Sequence, residues 1–133
     1  SPEYLEKMGT PQTPDDLAHH EWIIFTLLPT PHRCTFTKKK ESKTIQVKGR
    51  IKCNNGSAVH SLIRRGAGLA VLSNFLINED VKSGRLVPLL TDYSIADAGI
   101  YAVFQDKHLQ QPKIRAFVDF LAENMHKSIQ EIQ

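Results

Sequence analysis

Two clusters of small polar residues stand where an apolar stretch gives way to a helix, and their chemistry is that of hydrogen-bond donors. Asn54-Asn55-Gly56-Ser57 follows the alternating Ile51-Lys52-Cys53, and Ser73-Asn74-Phe75 follows the apolar run Leu69-Ala70-Val71-Leu72. Alternation that breaks into polar and glycine residues predicts a strand handing over to a helix. Ala58, Leu62 and Ile63, with Val59 at the margin, then recur at helical spacing, and Gly66 stands where a residue of positive φ ends a helix. Leu69–Leu72 has no polar member, which predicts a strand covered on both faces of a parallel sheet, with Ser73 as N-cap of the next helix. Both helices then aim unpaired N–H groups at one edge, beyond the carboxyl ends of the strands, where open α/β sheets bind ligands. Asn55, Ser57 and Ser73 therefore either cap helices and nothing more, or form the polar part of a seat for an anion or carboxylate.

Other chemistry is hard to assemble. There is no Gly-x-Ser-x-Gly elbow, no Gly-x-x-x-x-Gly-Lys loop and no His-Glu-x-x-His. His19 and His20 diverge on a helix, and His32, His60, His108 and His126 are scattered singly, as surface or capping residues are. Asp15 and Asp16 read as first-turn charges rather than an acid–base pair. A non-enzyme with no metal and no cofactor is the expectation. Cys34 and Cys53 fit no metal or redox spacing and lie in predicted strands, so buried reduced thiols in a cytoplasmic protein are expected. Lys38, Lys39, Lys40, Lys43 and Lys48 supply much of the net charge of +3. Without arginines or interleaved aromatics they read as a solvated hairpin tip rather than a nucleic-acid footprint. The apolar runs fall far short of the roughly 20 residues that span a bilayer, so no membrane segment is expected.

The positioning elements follow from punctuation and period. Ser1-Pro2 opens a short helix that Gly9 ends, and Thr13-Pro14-Asp15-Asp16 opens a second over Asp16–His20. Trp22–Thr26 reads as a buried strand, and Leu27-Leu28-Pro29-Thr30-Pro31 as an apolar loop that packs on the core or lines a cleft. A hairpin is predicted from Arg33 to Gly49, with strands Cys34–Thr37 and Thr44–Lys48. Arg85–Leu90 is predicted as an edge strand because Pro88 lacks an N–H, Asp92–Asp97 as a polar connection and Ile100–Phe104 as a further strand. Lys113–Met125 is the clearest helix, with Pro112 at its start and a stripe of Ile114, Phe117, Val118, Phe120, Leu121 and Met125 that must be buried against something.

In order and spacing these segments carry a family resemblance. Ser1-Pro2-Glu3-Tyr4-Leu5, Gly9-Thr10-Pro11, Thr13-Pro14-Asp15-Asp16-Leu17, Asn54-Asn55-Gly56, Gly66–Leu72, Ser83–Leu90, Ile100–Phe104 and Lys113–Leu121 together resemble the C-terminal part of a LysR-type transcriptional regulator. The resemblance implies an α/β fold: a Rossmann-like lobe with a mixed sheet, from a two-lobed effector domain similar to periplasmic solute-binding proteins. It places residues 1–98 in the second lobe and residues 99–133 in the return strand and final helix that complete the first. A Ser1-Pro2 start without Met fits a fragment of such a protein. By resemblance a small-molecule inducer, often a carboxylate, sits between the lobes. The cleft face then comprises Thr26, Leu27, Leu28, Pro29, Asn55, Gly56, Ser57, Ser73, Asn74 and Phe75. The apolar Leu27-Leu28-Pro29 suits an aromatic or aliphatic inducer equally. Operator DNA would be bound only through an N-terminal helix-turn-helix absent here, and the helix Ser57–Arg65 would take part in homo-oligomer formation. Two other classes fit the same residues, a fragment of a periplasmic-type solute-binding protein and a small enzyme.

Overall fold

The computed structural model describes residues 1–95, 103 and 111–130, with side chains described as far as 125 in the final helix. It contains two compact units, Ser1–Asp97 and Ala98–Gln133. Among the described residues, the first carries all but one of the regular elements.

Helix α1 (Pro2–Met8) begins under Ser1, whose hydroxyl accepts a hydrogen bond from the Tyr4 N–H, and stops at Gly9 with φ 83°. The predicted second helix is a single 3-10 turn, Asp16–His19. Asp16 does not support a helical first turn: its carboxylate folds back to accept from the N–H groups of Gln12 and Thr13 at 2.9 and 2.8 Å. The turn is pinned from above by Trp22, whose indole N–H donates to the Leu17 carbonyl at 2.9 Å.

Strand β1 (Ile23–Phe25) is the centre of the unit. Strands β2 (Arg33–Lys38) and β3 (Glu41–Gln46) form the lysine-tipped hairpin, and β4 (Ile51–Cys53) pairs parallel with β1, Ile23 opposite Ile51 and Phe25 opposite Cys53. Alternate residues of β1 go to opposite cores. Ile24 joins Tyr4, Leu17, Trp22, Phe36, Ile45 and Val47 on one side, and Ile23 joins Val59, Ile63 and Leu86 on the other. Both isoleucines are 1% exposed, so this strand is covered on both faces. Each such burial stabilises by roughly 1.5–3 kcal/mol.

The parallel and antiparallel ladders form two sheets, β1–β4 and β3–β2–β5, where β5 is Ser94–Ile95. Strand β5 falls in the stretch predicted as a polar connection; it pairs antiparallel with β2, Phe36 opposite Ile95.

Two predicted strands are not strands. Leu69–Leu72 keeps a single parallel bridge, Trp22 with Leu69, in which Ile23 N–H donates to the Leu69 carbonyl and Leu69 N–H to the Glu21 carbonyl, each at 2.9 Å. Beyond Leu69, Val71 packs into one core and Ala70 and Leu72 into the other. The run is apolar because both its faces are covered, and burial on two faces does not require a ladder. Arg85–Leu90 likewise divides Leu86 from Leu89 and Leu90 between the two cores. Pro88 has no N–H to offer, and Leu90 turns to φ 52°, which ends any extended pairing.

Helix α2 (Gly56–Arg64) and helix α3 (Asn74–Lys82) follow β4 and Leu69–Leu72. In the second unit α4 spans Pro112–Gln130. Of its predicted stripe, Ile114, Val118 and Met125 are half-buried, whereas Phe117 and Phe120 are about 60% exposed. The predicted strand Ile100–Phe104 lies outside the described residues except for Val103. Among the described residues no helix is long and apolar enough to cross a membrane.

Candidate functional site

Three segments leave the parallel core at the same edge. β1 continues into Thr26–Pro29, β4 into Asn54–Ser57, and the Leu69–Leu72 segment into Ser73–Phe75. Gly56 is where they meet: a Cβ built on it would lie 3.0 Å from Leu76 Cδ1 of α3 and 3.9 Å from Phe25 Cζ of β1. Thr26 is tied to the same edge, its N–H donating to the Cys53 carbonyl at 2.9 Å and its hydroxyl donating to that oxygen at 3.3 Å.

The residues predicted for the cleft face accordingly lie along one edge. Thr26, Leu27, Pro29, Asn55, Ser57, Ser73, Asn74 and Phe75 are exposed; Leu28 and Gly56 are half-buried. Leu27 is 69% exposed and so does not pack on the core. Asn55 is a true cap, its side-chain oxygen accepting from the Ala58 N–H at 3.0 Å. Ser73 occupies the N-cap position of α3 without making a side-chain cap bond, contrary to the expectation from sequence. None of the ten residues is ionisable, and neither α2 nor α3 has an acidic residue in its first turn. The positive ends of both helices therefore face this edge without a first-turn carboxylate of their own. The edge combines that potential with the apolar surface of Leu27, Pro29 and Phe75.

Elsewhere, an apolar cavity of about 200 Å³ is lined by Trp22, Phe36, Leu69, Leu72, Leu86 and Leu89 among others, and includes none of the ten. The hairpin lysines are partly committed. Lys38 pairs with Asp92 and lies 5.0 Å over the Tyr93 ring, and Lys43 is 3.0 Å from Asp15. Cys34 is buried and Cys53 half-buried, both as free thiols. Burial pushes the Cys34 thiol above its ordinary pKa. The Cys53 thiol is not enclosed as expected, because β4 is an edge strand in its sheet; its S–H faces the Asn55 carbonyl at 3.6 Å.

The most heavily bonded polar group escaped sequence reasoning. Asp80 of α3 is 4% exposed, and its carboxylate accepts from His60 of α2 and from Arg85 beyond α3, with the Arg64 guanidinium 3.5 Å away. The Arg85 bond, ahead of the His60 bond and the nearby Arg64 charge, holds its carboxyl below the usual carboxylate range. His60 is thus part of an inter-helix cluster and not a solitary surface residue. The available signal was spacing: Gly56, His60 and Arg64 recur every four residues on α2, as do Leu76 and Asp80 on α3.

The fold is a mixed α/β one, sheets with flanking helices. The LysR substrate binding domain family matches residues 1–126, and the chain belongs to that family. It is 38% identical over 125 residues to the transcriptional regulator PtxR of Pseudomonas aeruginosa, covering 94% of this chain and 40% of that protein. It is 31% identical over 130 residues to the regulator CrgA of Neisseria meningitidis serogroup C, covering 97% and 43%. Among solved structures, the CrgA regulatory domain superposes with a TM-score of 0.73 at 27% identity, over 93% of this chain and 61% of that one. The full-length virulence activator AphB of Vibrio cholerae gives 0.76 at 26%, over 90% and 41%. The chain thus spans about two fifths of the length of the curated relatives it matches. These relatives are named as transcriptional regulators.

Proposed function

We propose that this chain is the inducer-sensing part of a LysR-type regulator and that the edge formed by Thr26–Pro29, Asn55–Ser57 and Ser73–Phe75 is half of its inducer seat. Residues 1–98 are the second lobe, and residues 99–133 complete a first lobe supplied by the rest of the protein. The observation that supports the reading is the close approach at Gly56 of Phe25 and Leu76, which adjoin Thr26–Pro29 and Ser73–Phe75 in the chain; both helices start here without a first-turn carboxylate, and Leu27 and Phe75 are exposed. Such a surface suits a small molecule with one anionic or strongly accepting group on an aromatic or aliphatic body. Operator recognition belongs to an N-terminal DNA-binding region outside this chain, and helix α2 contributes to pairing of effector domains in a cytoplasmic homo-oligomer. An inducer shifts the regulator only through different affinities for two inter-lobe arrangements.

A thermal-shift screen of small aromatic and aliphatic carboxylates on the intact effector domain tests the seat. Hits whose dose–response moves to higher concentration in Ser57→Ala and Ser73→Ala, with operator binding unchanged, support it. Each lost polar contact costs on the order of 1 kcal/mol, about a fivefold loss of affinity. A dose–response indifferent to Thr26, Ser57 and Ser73 replaced together would remove the proposal.

A further inference from the structure

Helices α2 and α3 touch through a ridge on each, beside the core that Val59 and Ile63 of α2 share with Ile77 and Val81 of α3. On α2 the ridge is Gly56, His60 and Arg64; on α3 it is Leu76 and Asp80. Rows of residues four apart are the surfaces by which helices interlock, so these positions define how α3 lies on α2. At the upper end the contact is apolar and close, a glycine allowing the Leu76 methyl to approach to within a Cβ's width. At the lower end it is ionic, with Asp80 gripped by His60 and Arg64 from α2 and by Arg85 from the turn that follows α3.

A buried carboxylate is not needed to hold two helices together. An apolar side chain of similar volume would avoid the cost of desolvating the charge and is often as stabilising. What the carboxylate adds is direction. Its bonds to His60 and Arg85 are satisfied in one register of α3 on α2, whereas an apolar contact tolerates sliding and rotation. Both helices begin at the proposed inducer edge, so the register set at Asp80 also sets the separation of the N-termini at Asn55–Ser57 and Ser73–Phe75. Asp80 and Leu76 are one helical turn apart, about 6 Å. Because α3 is a single continuous helix, a slide or rotation that releases the Asp80 contact is carried along it to its start at Asn74–Phe75.

We propose that Asp80 is a positioning residue for the inducer seat: it does not touch the inducer, and it fixes the spacing of the two helix ends that would. The proposal rests on the seat assigned above, and it is tested without an inducer. In the 133-residue chain, residual dipolar couplings measure the angle between α2 and α3, and amide resonances of Ser57, Ala58, Asn74 and Phe75 report the helix starts. Asp80→Leu is expected to melt cooperatively while changing the inter-helix angle and shifting or broadening those amides. His60→Leu, which removes the donor to Asp80 and leaves the Arg85 bond in place, is expected to do the same to a smaller extent, and it serves as the readout where Asp80→Leu does not fold. A cooperatively folded Asp80→Leu or His60→Leu chain with the wild-type angle and unmoved amides at both helix starts would overturn the proposal. Benzoate titrated into the labelled wild-type chain separates the two ideas. Failure of benzoate and other small carboxylates to move the Ser57 and Ser73 amides counts against the seat alone, and an unchanged angle counts against the clamp alone.

Discussion

Gly49 passes Trp22 so closely that a Cβ built on it would lie 1.7 Å from the Trp22 carbonyl oxygen, a distance no side chain can occupy. On the other flank Gly68, with φ 147°, stands in the same relation to the preceding peptide, its built Cβ 2.4 Å from the Glu21 carbonyl oxygen. The entry to the central strand is thus gripped between two glycines, and the bridge from Trp22 to Leu69 depends on the second.

Gly49→Ala and Gly68→Ala are expected to unfold the chain or lower its melting temperature sharply, because backbone on both sides would have to move. Gly9→Ala and Gly84→Ala provide the contrast. Both glycines have positive φ but open space around the missing Cβ, so only conformational strain of about 1–3 kcal/mol is expected, more at Gly9, whose φ 83° and ψ 162° lie in a region kept almost wholly for glycine. Thermal denaturation of the four variants checks the order; equal losses at all four would show that steric approach at the strand entry is not limiting.

Caps at the two helix starts differ in kind. Asn55→Ala removes a bond that Ala58 N–H makes in the folded state, and a loss of about 1 kcal/mol is expected in urea denaturation. Ser73→Ala removes no such bond and is expected to leave stability within about 0.5 kcal/mol.

Acid stability should depend on Asp80 and His20. The Asp80 carboxyl is held below its ordinary value of 3.8, so its contribution is complete above that value and is lost as pH falls through the lower folded one. His20 behaves in the same sense for a different reason: desolvation lowers its pKa below 6.5, and in the neutral form Nδ1 accepts from the Tyr4 hydroxyl at 3.2 Å. Protonation of His20 therefore weakens the fold as pH drops below neutrality. Melting temperatures between pH 8 and pH 3 are expected to fall in two phases, with Asp80→Asn flattening the lower and His20→Gln the upper. A profile unaffected by either variant would contradict both assignments.

The stripe of α4 presents Phe117, Phe120 and Leu121 at 61%, 60% and 36% exposure. Surface of this kind calls for a cover. In this chain self-association through α4 is expected, detectable as a rise in apparent mass across a dilution series by light scattering. Phe117→Asp should abolish it without changing the melting of the first unit; a strict monomer at every concentration would refute it.

Much of the local structure is legible in the sequence because its causes are local. Ser1-Pro2 and Gly9 bound α1, Asn55 caps α2, Gly66 with φ 73° follows its end, and the period of Lys113–Met125 predicts α4. The helix starts at Asn55–Ser57 and Ser73 were also legible, since strand-to-helix order puts them at one edge, whereas Thr26–Pro29 joined the proposed seat only through the family resemblance. Pairing was not legible. Leu69–Leu72 and Arg85–Leu90 read as strands because apolar runs report burial, and burial on two faces comes with or without a ladder. β5 was hidden for the opposite reason, as two exposed residues whose only strand character is their bond pattern with β2. The Asp80 cluster is decided by packing: an aspartate in mid-helix is unremarkable until α2 brings His60 and Arg64 to it, beside Arg85 from just past α3. Sequence determines which segments become helices and which residues must leave water; the meeting of α2 with α3, and with it the charge at their contact, is decided only when distant segments are packed together.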